Sequence, residues 1–141
     1  MSTKTIFDCV AESKTMDELS GWLKTTIGLN QELTKAFRER AWALHEQTDV
    51  LNPRIPDVSR QFSDHAAKKD IPALRALQKK ACESRNAYVK HSMFFDLLTK
   101  KSTDPIATIM LSQYTSYLQG GAAESLTLIH RIRDQINKPK L

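Results

Sequence analysis

Cysteine is scarce in this chain, two residues in 141, and Cys9 and Cys82 lie 73 positions apart. That spacing fits neither a disulfide framework nor a Cys-x-x-Cys metal or redox motif, and two reduced, partly buried thiols are expected. Glycine and proline are also few, four and five residues, which excludes collagen-like and low-complexity chains. No run approaches the roughly 18 to 20 apolar residues of a membrane-spanning helix, and Met1 to Val10 lacks the basic and apolar regions of a secretion signal. A cytoplasmic chain is expected. With 40% hydrophobic residues, the chain can bury a core as a single helical domain over 1–141, with a lead-in segment at 1–14 and a frayed tail at 137–141.

Catalytic patterns are missing too. There is no phosphate-cradling glycine loop and no Gly-x-Ser-x-Gly elbow. The four histidines, His45, His65, His91 and His130, form no His-x-x-x-His pair and no repeated Glu-x-x-His, so no metal site is expected. His45 and Glu46 adjoin, but successive helical residues point about 100° apart and do not face one another. Cys82 reads as an inert thiol inside an apolar seam. The residues after His45, His91 and His130 do not resemble a phosphotransfer histidine motif. No cofactor and no catalytic residue is assigned, and the chain reads as a non-enzyme.

What is present is helical periodicity punctuated by proline. Thr15-Met16-Asp17-Glu18 has the form of a capping box. From there Leu19, Leu23, Ile27, Leu33, Phe37, Ala41, Leu44 and Leu51 recur at mostly three- and four-residue steps, with Asn30 and Thr48 completing the seam. The spacing predicts one helix of about 35 residues, weakened near its start by Gly21 and Gly28. Residues 3–12 suggest a short helix before it.

Asn52 to Asp57 carries two prolines and ends that helix. Val58, Phe62 and Ala66 suggest a short helix. Asp70-Ile71-Pro72 then reads as a cap followed by a first-turn proline. Leu74, Leu77, Ala81, Ser84, Tyr88, His91, Phe95 and Leu98 form the cleanest seam, about 30 residues long. Thr103-Asp104-Pro105 starts a last long helix carrying Ile106, Met110, Tyr114, Tyr117, Leu128, Ile132 and Ile136. Gly120-Gly121 either kinks it, splits it or lets another helix approach closely. No strand alternation occurs. The expected fold is all-α, an elongated up-and-down bundle of three long helices plus short ones. The same spacing permits coiled-coil pairing between chains, so a homo-oligomer is expected, with Asn30, Ser84 and His91 as register-setting polar positions.

The net charge is +5. Residues 1–57 hold seven basic and nine acidic side chains, residues 68–101 nine and three. Lys68, Lys69, Arg75, Lys79, Lys80, Arg85 and Lys90 therefore define a basic face, either simply solvated or suited to an acidic protein, anionic lipid or nucleic acid. Nucleic acid is disfavoured, because aromatic interleaving is poor and Glu83 and Asp96 interrupt the run. The aromatic residues Trp42, Phe94, Phe95, Tyr114 and Tyr117 lie on or beside the seams. They read either as a widened core face or as a partly exposed apolar strip for a partner.

Lys69-Asp70-Ile71-Pro72-Ala73-Leu74-Arg75-Ala76-Leu77-Gln78, followed by Ala87-Tyr88-Val89-Lys90-His91, resembles phasins, helical proteins that coat polyhydroxyalkanoate storage granules. The resemblance implies a non-enzymatic amphipathic bundle that self-associates and adsorbs on a hydrophobic polymer surface. The alternative is a helical adaptor, chaperone or inhibitor that binds an acidic protein through the basic face.

Overall fold

The computed structural model describes residues 5–138, so Pro139 to Leu141 of the expected frayed tail lie outside the described residues. The described chain is all-helical: α1 (Ile6–Glu12), α2 (Met16–Thr25), α3 (Gln31–Gln47), α4 (Pro56–Ala67), α5 (Ile71–Lys101) and α6 (Pro105–Ile136). Its only extended pairing is an isolated parallel bridge between Leu29 and Ser102. The chain divides into two compact units. The first comprises the chain up to Thr48 together with Lys90–Tyr117, and the second Asp49–Val89 with the chain from Leu118. Helices α5 and α6 each contribute to both.

Short polar side chains start most of the helices by accepting otherwise open backbone N–H groups. Thr5 and Asp8 form a reciprocal capping box on α1. The Thr15 hydroxyl accepts from the Glu18 N–H, but the Glu18 carboxylate reaches back to the Lys14 N–H, so the expected box on α2 is only half made. Asp70 caps α5 through the Ala73 N–H, and Asp104 caps α6 through the Ile106 N–H. Between α4 and α5 the Lys69 N–H bonds to the Ala66 carbonyl and the Asp70 N–H to the His65 carbonyl, the double bond of a Schellman ending. That ending puts Lys69 in the left-handed region at φ 52°.

The predicted 35-residue first helix is two helices. Thr26 ends α2, and Asn30, read from sequence as a seam position, is the cap of α3, its side chain accepting from the Leu33 N–H at 2.7 Å. Ile27 stands fully exposed in the break rather than in the core. A β-branched residue, a glycine and a strong capping residue in succession favour this interruption over a continuous helix. Distant groups hold it in place. The Lys101 ammonium donates to the Leu23 and Thr26 carbonyls at 2.8 and 2.9 Å, adding to the Thr26 N–H bond that Leu23 already accepts at the end of α2.

The α5 seam is buried along its whole length, from Leu74 to Leu98. In the second unit Leu74, Leu77 and Ala81 pack with Phe62, Leu128 and Ile132. Ser84 is buried there without cost because its hydroxyl accepts from the Leu51 N–H at 2.6 Å. Cys82 is exposed, outside the seam in which it was expected, since Ala81 takes the inward position.

Along α6 the apolar register differs from the expected one. Leu111, Thr115, Leu118, Ser125, Leu128 and Ile132 are buried, whereas Ile106, Met110 and Tyr117 are exposed. Thr115 can occupy the inner face because its hydroxyl donates to the Leu111 carbonyl one turn back. Gly120-Gly121 does not split the helix, which runs unbroken through the pair. A Cβ on Gly121 would lie within 2.6–2.9 Å of the Tyr88 ring, so the glycine lets α5 approach closely, the third of the expected alternatives.

Candidate functional site

The first unit carries two features with chemical potential. One is a strip on the outer side of α6: Ile106 (73% exposed), Ile109 (63%), Met110 and Tyr117. Their spacing keeps them within about 100° of one another around the helix axis, with exposed Gln113 the polar residue between them. Arg38 of α3 borders this strip, its guanidinium 2.8 Å from the Met110 sulfur. Ile106 and Met110 of the strip also line one wall of a groove whose other side is Gln31, Thr34, Lys35 and Arg38 of α3, with Asp104 at its end. Asp104 accepts from the Gln31 amide at 2.7 Å, and this bond, with the Ile106 N–H, holds its carboxyl below the usual carboxylate range.

The second feature is internal. His45 of α3 and His91 of α5 are both buried, their Nδ1 atoms 2.7 Å apart and their rings nearly perpendicular. One ring must donate its Nδ1 proton and the other accept, so the neutral pair shares one hydrogen between the two nitrogens. Burial lowers the pKa of both. For His91 it acts together with the charges of His45 and Lys90, bringing the value to about 4; for His45 burial outweighs the opposing pull of Glu46. Aromatic contacts extend outward from the pair. Trp42 lies 5.1 Å from the His45 ring centroid and 5.1 and 6.0 Å from those of Tyr114 and Tyr117.

The expected apolar partner residues divide. Phe94 and Phe95 are core, 3% and 0% exposed, in contact with Phe37, Trp42 and Tyr114, and they take no part in a surface. Trp42 and Tyr114 are half-buried, and of the five residues only Tyr117 belongs to the open strip. Sequence reasoning placed Ile106 and Met110 in the core seam and passed over Ile109. It also missed the histidine pair, whose members are 46 positions apart. The available signal was that His91 lies in the α5 seam while His45 adjoins seam residue Leu44.

In the second unit Lys68, Lys69, Arg75 and Lys79 are exposed, and Arg85 is half-buried. Lys80 is instead drawn to the Asp49 carboxylate and carbonyl. Lys90 belongs to the first unit, where it pairs with Asp17 at 2.9 Å. The continuous basic face read over 68–90 is thus confined to the second unit. Among the described residues no group of three or more His, Cys, Asp or Glu side chains is arranged to hold a metal ion. No helix among them is long and apolar enough to cross a membrane. Comparison with family models, curated proteins and solved structures finds no match to the chain.

Proposed function

We propose that this chain is a non-enzymatic helical interaction protein that adsorbs on a hydrophobic particle surface through the α6 strip, the role implied by the phasin resemblance. The observation that carries the reading is the exposure of Ile106, Ile109, Met110 and Tyr117 on one side of one helix. Such a contiguous apolar strip marks an interaction site more often than ordinary surface. None of the four strip side chains is ionisable at neutral pH, which suits an extended apolar surface better than a charged ligand. The first unit has nine basic and nine acidic residues, so no net charge opposes or directs adsorption.

The test is retention on uncharged polymer particles. Ile106→Glu with Ile109→Glu alters only exposed positions and is expected to weaken adsorption more than about tenfold, since burying two isoleucines is worth several kcal/mol. Retention of the parent in 0.5 M salt, where the Debye length is about 4 Å, separates apolar from ionic attachment. Undiminished adsorption of the double variant would overturn the reading. A dimer that the same substitutions dissolve, with no particle binding, would reassign the strip to a second copy of the chain.

A second reading rests on a different observation. The second unit carries twelve basic against seven acidic residues and so holds the whole +5 surplus. Lys68, Lys69, Arg75 and Lys79 would then engage an acidic protein, and Arg75→Glu with Lys79→Glu would abolish a salt-sensitive interaction while leaving particle adsorption intact.

A further inference from the structure

The histidine pair and the strip belong to one unit and are joined by a continuous line of ring contacts. His91 meets His45, His45 meets Trp42, and Trp42 touches Tyr114 and the strip residue Tyr117. We propose that the His45–His91 contact is an acid-sensitive latch that holds Trp42 beneath the strip and, when protonated, releases it to enlarge the apolar face. This inference rests on the strip being the docking face.

The argument is stereochemical. A single shared hydrogen joins the two Nδ1 atoms in the neutral pair. A first added proton can go to an Nε2 and leave that bond intact. A second puts an N–H on both facing nitrogens, and two N–H groups cannot point at each other across 2.7 Å. The rings must then separate. Few charges nearby resist this. Glu46 on α3 favours the charged form of His45, while Lys90 on α5 disfavours that of His91, even though its ammonium is paired with Asp17 of α2. From α6 the phenols Tyr114 and Tyr117 reach Trp42. The pair titrates as a unit, below the ordinary histidine range. Moving His45 removes a wall of the Trp42 site, and Trp42 covers Phe95. Release therefore adds aromatic area to a strip that already ends at Tyr117.

The experiment uses the full chain carrying Trp22→Phe, which leaves Trp42 as the sole tryptophan. Trp42 emission, far-ultraviolet circular dichroism and adsorption to uncharged polymer particles are followed from pH 8 to 3. The expected result is a red shift of Trp42 emission that sets in as the pH falls towards 4, where the second proton is taken up, with helicity retained. Adsorption should rise about fivefold or more, the lower end of ordinary coupling between two sites. Adding His91→Gln should remove both changes, because an amide can donate to or accept from His45 in either protonation state. The His45→Gln counterpart and proton NMR titration of both imidazoles in the parent guard against a variant that folds poorly. Emission that stays flat, a shift unchanged in both glutamine variants, or a shift that coincides with loss of helicity would each overturn the latch. Absence of adsorption at every pH would sink the docking reading, while the Trp42 titration would still decide whether the latch exists.

Discussion

The two compact units share α5 and α6 yet differ in what they bury and what they expose. The first has an aromatic interior, Phe37, Phe94 and Phe95 with Trp42 and Tyr114, built around two neutral histidines, and a surface whose charges balance. Eight of the nine large apolar residues found exposed belong to it, Ile55 being the exception. The second has a largely aliphatic interior around Leu74, Leu77, Ala81, Leu128 and Ile132, closed by Tyr88 against Gly121, and it carries all the surplus positive charge. The same helices thus serve an apolar-faced unit and a basic-faced one. Burial of one stripe leaves the opposite stripe free to take either chemistry.

Core substitutions test that contrast most strongly. Phe95→Ala removes the ring that stacks on Tyr114 at 5.2 Å and meets Trp42, and it should cost about 3–5 kcal/mol in denaturant unfolding. Acid should act next, through the histidine pair of the first unit. Above pH 6.5 His91 is neutral in both folded and unfolded chains, so the stability is fully present. As pH falls, the unfolded chain takes up the proton first, and stability declines until about pH 4, by at most about 3 kcal/mol. Equilibrium unfolding at pH 7.5 and 4.5, compared with His91→Gln, checks the sign. A larger loss in the variant than in the parent would contradict it.

Gly121→Ala in the second unit should cost about 1–3 kcal/mol by forcing a methyl against the Tyr88 ring. Gly120→Ala is the internal control. There the added methyl meets only the far end of the long Arg54 side chain, which can swing aside at the expense of its exposed ion pair with Glu124, so the change should lie within about 1 kcal/mol of neutral. Equal losses at the two positions would show that Gly121 is not a packing glycine. The smallest effect is a gain: Lys69→Gly relieves a left-handed lysine and should add about 0.5–1 kcal/mol, read as a raised midpoint in thermal unfolding.

Legibility in the sequence followed the strength of each local signal. Proline with a preceding aspartate marked the starts of α5 and α6, and the eight-residue α5 seam is buried at every position because no proline or glycine breaks its three-four spacing and its polar members, Ser84 and His91, find partners in the Leu51 N–H and His45. Asn30 could have been read as a cap, with Glu32 in the turn after it, but apolar residues on either side disguised the break as a continuous seam. On α6 the local pattern misled. Ile106, Met110 and Tyr117 make a better apolar stripe than the inward Leu111, Thr115 and Leu118, and helical spacing alone does not say which stripe faces the core.

The sequence by itself determined the all-helical class, most helix starts, the α5 seam and the absence of familiar catalytic motifs. These depend on backbone sterics, capping hydrogen bonds and periodicity, all expressed within a few residues. Tertiary structure decided the division into two units, the pairing of His45 with His91, the burial of Phe94 beside the seam, and which stripe of α6 remained open. Each of those depends on groups brought together from distant positions, where close packing and the pairing of buried polar atoms select among alternatives that local periodicity leaves equal.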